Sequence, residues 1–409
     1  MANATIDHIV SIIVFLGALL LFISLFNQTI QTATVYQNHK AVASKCSDTI
    51  DNVLLSPGVP TDWSQTNTLP TSFGLQDPEF TQYTLSPFAL MRLFSASGTP
   101  VYYSKTGMTY SNITLGFGES LLVPESQAIN YSTALKLLGL NGSYGFRLTL
   151  EPTVKVEISE QQRSPLRLAI SVLGSGFPLS NSQVSYCFIA VEGCIQGYPA
   201  YTASYGTLTT DGAGYAYASF QDFNADEDSY MFIAYAHLNG LVGMGYRSHV
   251  VYDQNYVIPL VSDFQTGEVI LAHSWDVHGG SDPAEIAYNA TFVLLAEDFT
   301  LREMPLDNAT GRIVGRLNYG QESQFAYATL AINTHNPGIL IVTYSNSAVE
   351  NGVIVMPWGI SALGFPVEFG GDPSAQEWVA TDIRVVRVGG LTYQAKLSMW
   401  SEKGISVMG

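Results

Sequence analysis

The most strongly patterned stretch of the chain is an uncharged apolar run near its N-terminus. Residues 9–26 read IVSIIVFLGALLLFISLF, and Ile6 extends this run by about one turn. At a rise of about 1.5 Å per residue, such a helix covers the roughly 30 Å hydrocarbon core of a bilayer. The pattern therefore predicts a membrane helix over residues 6–26. The side chains expected to face lipid are Ile9, Ile12, Val14, Phe15, Leu20, Phe22, Leu25 and Phe26.

The helix is expected to continue beyond the membrane, because no proline or glycine occurs between Asn27 and Ser56. It should end in the turn at residues 56–60 (SPGVP), where two prolines remove backbone donors. A helix of about 50 residues is roughly 75 Å long, so its outer half needs a packing partner. The positions predicted to form its packed stripe are Ile30, Ala33, Tyr36 or Gln37, Ala41, Ser44 or Lys45, Asp48 and Val53.

A cleaved signal peptide is the alternative to a retained anchor. The chain has no Lys or Arg before Lys40, and Phe26 is followed by Asn27 and Gln28, so the pattern of a basic leader and a small-residue cleavage site is missing. A retained anchor is therefore predicted. Its orientation has two opposing indicators: Lys40 and Lys45 favour a cytoplasmic body, whereas the glycosylation sequons described next favour an outside body.

Seven Asn-x-Ser/Thr sequons occur in the chain, two of them at Asn3 and Asn27. An individual sequon can equally be turn chemistry. Together with the low charge, they predict a body that faces the cell exterior. The candidate glycosylation sites in the body are Asn112, Asn130, Asn141, Asn289 and Asn308.

Residues 57–160 alternate apolar and polar positions, with glycines between the runs. Residues 112–118 (NITLGFG) and 144–150 (YGFRLTL) are examples, and a period of two residues predicts half-buried antiparallel strands. Between them, Ser132 to Leu138 predicts one short helix that ends at Gly139. A polar stretch closing at Pro165 marks the first domain boundary.

Residues 161–260 carry a recognisable module pattern. Residues 166–188 read LRLAISVLGSGFPLSNSQVSYCF, residues 209–218 read TTDGAGYAYA, and residues 230–236 read YMFIAYA. This order of strand, Gly-x-Pro-Leu turn, strand and TTDxxGxA turn resembles the immunoglobulin-like repeats of bacterial and archaeal surface proteins. In the last turn, Asp is expected to cap backbone donors and Gly to adopt a positive φ. The resemblance implies adhesion, spacing or assembly.

Residues 261–409 contain further alternating runs, which indicate a second β-sandwich or a barrel, and no second membrane run follows. The predicted fold class is mainly β, with a long N-terminal helix followed by tandem β-sandwich domains, the middle one immunoglobulin-like. The expected segments are a helix at 1–56, a head domain at 57–160, the immunoglobulin-like module at 161–260 and a C-terminal domain at 261–409. The predicted C-terminal strands are residues 268–271, 290–295, 325–332, 339–344, 352–356, 383–388 and 391–400.

The N-terminal part of the chain resembles the archaeal relatives of type IV pilins. The features that carry the resemblance are one long helix, apolar in its first half and mildly amphipathic in its second, then the turn SPGVPTDW (residues 56–63) and a β-rich body. The resemblance covers residues 1–160 and implies a pilin-like head domain. Pilin precursors carry a short basic leader and a glutamate near the helix start, whereas this chain begins MANATIDH and has only Asp7 there.

The charge balance excludes one class of partner. Only 12% of the residues are charged, and 17 Lys plus Arg against 34 Asp plus Glu leave a net charge of −17. Binding to nucleic acid requires a basic surface that displaces counterions from phosphates, so no nucleic-acid partner is expected. Abundant Tyr and Phe favour folded β structure over disorder.

The cysteines point to a disulfide. Cys187 and Cys194 bracket the sequence CFIAVEGC, and outside the cell a small-loop disulfide between them is predicted, with two buried thiols as the alternative. Cys46 lies on the predicted helix. It is expected to be a small packing residue, with an intermolecular link as the alternative.

Two stretches bear residues that metals use. Residues 222–228 (DFNADED) open like a calcium loop but lack the following Gly and the distal Glu, which excludes an EF-hand. A looser calcium site is the metal candidate there, against a solvated acidic turn, and its ligands would be Asp222, Asn224, Asp226 and Asp228. In residues 273–278 (HSWDVH) the two histidines would face opposite sides of a strand, so zinc is not expected.

These features predict a non-enzymatic, single-pass cell-surface protein with its C-terminal body outside. It would be a structural or adhesion protein, such as a pilin-like filament subunit or minor component. No catalytic motif occurs and no cofactor is expected. The expected partners are the lipid bilayer, or copies of the chain through the N-terminal helix, and other surface proteins. The alternative is a membrane-tethered receptor that binds carbohydrate or peptide through its C-terminal β domain.

Overall fold

The computed structural model describes residues 2–80, 82–114, 119–195, 197–251, 255–278, 285–296, 298–316, 324–346, 350–359 and 364–402. It is mainly β, with one long N-terminal helix followed by several β-sheets, which confirms the predicted fold class. The helices are α1 (Ala2–Leu55), α2 (Pro87–Phe94), α3 (Tyr131–Leu137) and α4 (Ser274–His278).

The strands follow in chain order, and each predicted strand of residues 261–409 coincides with one or two of them. They are β1 (Thr84–Leu85), β2 (Thr99–Tyr103), β3 (Met108–Thr114), β4 (Glu119–Pro124), β5 (Tyr144–Pro152), β6 (Val154–Gln162), β7 (Leu166–Gly174), β8 (Phe177–Pro178), β9 (Gln183–Ile195), β10 (Tyr198–Thr209), β11 (Tyr215–Phe220), β12 (Tyr230–Leu238), β13 (Leu241–His249), β14 (Val257–Asp263), β15 (Glu268–His273), β16 (Glu285–Leu295), β17 (Leu301–Met304), β18 (Thr310–Arg316), β19 (Gln324–Phe325), β20 (Ala328–Ala331), β21 (Gly338–Asn346), β22 (Asn351–Trp358), β23 (Val367–Gly370), β24 (Ala380–Val388) and β25 (Leu391–Ser401).

Helix α1 is unbroken and ends at Leu55, one residue before the predicted turn. Pro57 disfavours a helical conformation at Ser56, so the helix cannot continue. Gly58 then adopts a φ of 84°, and a Cβ at this position would lie 2.8 Å from the indole nitrogen of Trp63. Only glycine fits this reversal of the chain, which directs the following loop back along the helix.

The second half of α1 is packed, as predicted, but on a different face. Its buried and half-buried positions include Val35, Val42, Cys46, Ile50 and Val53, spaced by three or four residues or by a multiple of that spacing. From the predicted stripe, Ile30, Ala33, Tyr36, Ala41 and Asp48 are exposed, whereas Lys45 is half-buried and Val53 is buried. The predicted stripe was wrong because it was placed through Ile30 and Tyr36, and these two residues lie on an exposed face of the helix.

Residues 154–249 form a β module with a core of its own, in the segment where the immunoglobulin-like module is predicted. Strands β10, β9, β12 and β13 make one layer and β6, β7 and β11 the other, and a parallel contact between β13 and β6 joins the layers. A separate hydrophobic core fills the space between them. This two-layer arrangement is the one that the resemblance implied.

The TDGAG turn of this module has the predicted chemistry. The carboxylate of Asp211 accepts hydrogen bonds from the backbone N–H groups of Ala213 and Tyr215, both at 2.9 Å, and Gly214 has a φ of 78°. The turn leads from β10 to β11, which lie in different layers. It therefore carries the chain across the sandwich instead of closing a hairpin.

Strand pairing crosses the other expected boundaries. Strand β5 lies in residues 57–160, yet it pairs with β25 and β23 from residues 261–409, and β4 likewise pairs with β14. The first of these sheets has the order β1-β24-β25-β5-β23, and we call it the helix-facing sheet. One continuous core extends from α1 through this sheet to the outward face of β9 and β12. The head and C-terminal segments thus form one packed body.

Candidate functional site

The first half of α1 is exposed on every side. Residues 8–34 all lie at the surface, and the eight side chains predicted to face lipid are exposed over 51–67% of their area. The most apolar part of this helix has a mean hydropathy of 3.0 and none of it is buried against the body. At about 1.5 Å per residue, 27 residues extend roughly 40 Å. By length and composition, this helix could cross a bilayer, and a signal sequence has the same properties.

The second half of α1 packs against β24 and β25 of the helix-facing sheet. Val42, Cys46 and Ile50 point into the shared core, and Ile50 is completely buried. The thiol of Cys46 lies 3.5 Å from the carbonyl oxygen of Leu397 and 3.8 Å from that of Ala380. Cys46 is a free, buried cysteine, as expected for a packing residue. These contacts hold the helix against the body.

Polar contacts on either side of this packed face support it. Near its beginning, the His39 ring stacks on Trp378, with 4.2 Å between ring centroids and 7° between planes. Near its end, Asp51 accepts a hydrogen bond from Nε of Arg384 at 3.2 Å. Both partners lie outside α1, at residues more than 300 positions later. The direction in which the exposed half projects is therefore set by contacts along the whole packed half.

Arg92 ties the loop after α1 to α2, and the sequence analysis missed it. This side chain is fully buried, and it stacks on the Trp63 ring at 4.9 Å. Its guanidinium donates to the carbonyl oxygens of Gln127 and Thr68 at 2.8 Å each, of Thr66 at 3.3 Å, and of Trp63. Burial lowers the pKa of Arg92 to about 10. A single cation inside the apolar helix PFALMRLF was the available signal for such a buried arginine.

The predicted Cys187–Cys194 disulfide is wrong. Both residues lie on the one extended strand β9, where a separation of seven residues at about 3.3 Å each is roughly 23 Å. A disulfide requires Cα atoms within about 7 Å. Cys187 is a free thiol, fully buried, and burial raises its pKa to about 12. The prediction failed because it placed a turn between the cysteines.

The polar side chains of the calcium candidate loop, residues 222–228, contact other groups of the protein. The side-chain oxygen of Asn224 accepts a hydrogen bond from the backbone N–H of Asp226 at 3.2 Å, and the Asp226 carboxylate lies 3.5 Å from Nη1 of Arg163. Burial, followed by the nearby charges of Glu227 and Glu192, raises the pKa of Asp228. These contacts are those of a closed turn. Within the residues that the structure describes, no group of three His, Cys, Asp or Glu side chains is arranged to hold a metal ion.

The HSWDVH stretch is not a continuous strand. His273 ends β15 and residues 274–278 form helix α4, in which Asp276 pairs with Lys105 at 2.7 Å. His273 is fully buried, and its Nδ1 accepts a hydrogen bond from the backbone N–H of Trp275 at 3.1 Å. The strand geometry assumed in the sequence argument was therefore wrong. The arrangement again offers no zinc site in the described part of the chain.

The five sequons of the body differ in accessibility. Asn130, Asn141 and Asn308 are exposed, whereas Asn112 and Asn289 are half-buried. The amide nitrogen of Asn289, which a glycan would occupy, donates to the carbonyl oxygen of Pro199 at 3.1 Å. Asn130 caps α3 by accepting from the N–H of Thr133 through its side-chain oxygen, which leaves its nitrogen out of that bond. Glycosylation stays a prediction, and geometry favours the three exposed sites.

An open cleft of about 450 Å³ lies on the body. Its walls come from the turn at Gln82 and Tyr83, from the β12–β13 turn, and from β24 and β25, and its charged lining residue is Arg387. The cleft draws on three separate segments of the chain. It therefore gives no particular support to a receptor site built by residues 261–409 alone.

No protein-family model and no curated protein sequence matches this chain. Among solved structures, trypsin-activated α2-macroglobulin from Escherichia coli is similar over 57% of this chain and 18% of its own, with 9% identity and a TM-score of 0.20. Red sea bream transglutaminase is similar over 61% of this chain and 37% of its own, with 8% identity and a TM-score of 0.18. The chain thus spans well under half the length of either protein. Similarity at this level indicates neither a shared fold nor a shared function.

Proposed function

We propose that this chain is a non-enzymatic, single-pass cell-surface protein of the structural or adhesion type, with its β-rich body outside the membrane. The observation that carries the proposal is the contrast along α1. Its first half exposes an unbroken apolar surface, and its second half is fixed to the body. An apolar helix surface of this size is stable only in lipid or against other apolar helices.

The helix supports a structural role because it has no hinge between its two halves. α1 runs from Ala2 to Leu55 without a break, and about 40 Å of it projects beyond the packed region. A bilayer core of roughly 30 Å leaves one or two turns of helix between the membrane and the body. Such a continuous helix holds the body at a fixed angle and distance.

The pilin-like form of the proposal rests on the same helix. Its second half lies on an antiparallel sheet of the body, and the resemblance to archaeal pilins implies a long helix of this kind followed by a β-rich head domain. In that form, the exposed half packs against copies of itself in a filament core after leaving the membrane. In the simpler form, it remains a membrane anchor.

The test is cell fractionation of the full chain and of a variant that lacks residues 2–26. The full chain is expected in the membrane fraction, resistant to alkaline carbonate and released by detergent. The truncated chain is expected in the soluble fraction, with an unchanged thermal unfolding temperature because residues 8–26 are exposed and not buried against the body. Retention of the truncated chain in the membrane, or a freely soluble full chain, would contradict the anchor.

Two further readouts separate the forms of the proposal. Electron microscopy of material sheared from cells distinguishes a filament subunit from a lone anchor. Mass spectrometry of peptides containing Asn130, Asn141 and Asn308 tests for glycans, which require exposure outside the cell. Accessibility of the body to protease on intact cells gives its orientation directly.

A further inference from the structure

Lys105 and Asp276 are brought together from distant parts of the chain. Lys105 lies in the turn between β2 and β3, and Asp276 lies in α4. Nζ of Lys105 is 2.7 Å from Oδ2 of Asp276. The side chains are exposed over only 21% and 4% of their areas, and the two contacting atoms are themselves inaccessible to water. This is a desolvated amine against a desolvated carboxyl group.

The surroundings of the pair are apolar and aromatic. A small hydrophobic core lies beside it, made of Tyr103, Tyr110, Ile258, Leu260, Ile270 and Ala272. The hydroxyl of Tyr103 is buried and has no hydrogen-bond partner within the described residues. Burial, and then the nearby charge of Asp276, raise the pKa of this phenol. Tyr103 lies at the end of β2, which packs against α4, the helix that carries Asp276.

The contact between the two groups is close without being a hydrogen bond. Among the described residues, neither Nζ of Lys105 nor Oδ2 of Asp276 has a partner that satisfies hydrogen-bond geometry, although they are 2.7 Å apart. Two buried charges that lack further hydrogen bonds are costly.

We infer that Lys105 and Asp276 form an intramolecular isopeptide bond, which is a covalent cross-link between the β2–β3 turn and α4. In the proposed reaction, the ammonium group of Lys105 first passes one proton to the carboxylate of Asp276, and the lone pair of the resulting amine then attacks Cγ of the resulting carboxylic acid. The new bond joins Nζ to Cγ, and the bond from Cγ to the hydroxyl oxygen breaks. That hydroxyl leaves as water with a proton from the amine. The products are one amide and one water molecule, so the step needs no oxidant, reductant or activating co-reactant.

The fold supplies what this condensation lacks in free solution. Holding two reacting groups in contact replaces a bimolecular encounter and raises their effective concentration by orders of magnitude. Exclusion of water from both atoms opposes the reverse hydrolysis. The Tyr103 hydroxyl can donate a hydrogen bond to the carboxyl oxygen as charge develops there. Tyr103 acts in this scheme as a positioning residue.

The test is mass spectrometry of the full-length protein digested with trypsin under denaturing conditions, after enzymatic or chemical deglycosylation. A cross-linked Lys105 is not a cleavage site, so residues 93–136 should be recovered joined to residues 248–302, lighter than the sum of the separate peptides by one water. Recovery of the linear peptides 93–105 and 106–136, with residues 248–302 unmodified, would overturn the inference. Because the wild-type chain decides the question, a variant that fails to fold does not affect the result.

Two comparisons define the specificity. Lys105→Arg keeps a positive charge beside Asp276 but lacks the primary amine, so the joined peptide should disappear. Lys155 and Glu157 form an ion pair whose side chains are exposed over 68% and 52% of their areas. Trypsin should cleave after Lys155 and release residues 148–155 and 156–163 as separate peptides of unmodified mass. Water loss at that exposed pair as well would mean that contact alone, without burial, is sufficient.

Tyr103→Phe tests the role of the phenol. This variant should slow the appearance of the joined peptide after refolding while leaving the folded yield unchanged, and an unchanged rate would remove Tyr103 from the scheme.

Discussion

Residues 8–34 and residues 35–54 belong to one unbroken helix, yet they meet opposite surroundings. The first stretch is exposed throughout, and it is apolar around its whole circumference over residues 9–26, whereas the second stretch buries one face on β24 and β25. A helix that is apolar all round requires a nonpolar medium, while a helix with one apolar stripe requires one partner surface. The difference shows that one continuous helix can combine a segment exposed on all sides with a segment packed on a sheet. The first half-buried side chain is that of Val35.

Charges placed in the exposed half should give the largest effect. Leu16→Arg combined with Leu20→Arg puts two cations near the middle of the apolar run, at a cost of about 2.5–3.5 kcal/mol each for insertion into a membrane. The double variant is expected to leave the membrane fraction while the body keeps its unfolding temperature. Tyr36→Arg is the control, since this side chain is 69% exposed but lies beyond the predicted membrane segment. Membrane retention of the double variant would show that the apolar run is not the anchor.

A cavity in the packed half should lower the stability of the body and leave membrane association unchanged, which is the reverse of the result expected for the charged variant. Ile50→Ala removes a completely buried side chain from the interface with the helix-facing sheet, and such a change costs about 2–5 kcal/mol of unfolding free energy. The thermal midpoint should fall while membrane association stays intact. Asn52→Ala, at an exposed position of the same turn, should change stability by less than about 0.5 kcal/mol. Equal midpoints for the two variants would mean that the helix does not contribute to the stability of the body.

Acid should weaken the packed half slightly and leave the exposed half unaffected. Burial alone would raise the pKa of Asp382 on β24, but hydrogen bonds from Ser47 of α1 and from Arg384 lower it below its usual value. A lowered pKa means that this carboxylate stabilises the fold above its unfolded pKa of about 3.9, and that the contribution is lost as the pH falls through the folded pKa. The wild-type midpoint should therefore fall more steeply between about pH 5 and pH 3 than that of Asp382→Asn. Parallel curves for the two proteins would exclude this contact as a source of stability.

Local features were predictable from the sequence, and long-range ones were not. The helix end at Leu55, the short helix at Tyr131–Leu137 and the immunoglobulin-like module follow from turn residues and neighbouring strands. In the module, pairing partners lie within about 100 residues of each other, so its pattern is continuous. By contrast, nothing near β5 indicates that its partners are β23 and β25, because alternation specifies a strand but not its neighbour.

The candidate sites were also hard to predict from the sequence where they depend on contacts between distant parts of the chain. The Cys187–Cys194 prediction depended on a turn that does not exist, since β9 continues through both residues. The buried guanidinium of Arg92 and the contact between Lys105 and Asp276 depend on loops and turns whose positions are fixed only by the complete fold. Their residue types are unremarkable in sequence. What distinguishes them is burial, which the sequence signals at Arg92, as one cation in an apolar helix, but not at Lys105 and Asp276.

The sheet that receives α1 also sets an order of events during synthesis. About 325 residues separate Leu55 from Ala380, where β24 begins. At about 5–20 residues per second, a ribosome needs roughly 15–65 s to produce them. Throughout that interval the helix exists without the surface that covers Val42, Cys46 and Ile50. A nascent chain of this kind needs the bilayer surface or a chaperone to shield that stripe, and the stripe cannot be covered by its own sheet until β24 and β25 have been synthesised.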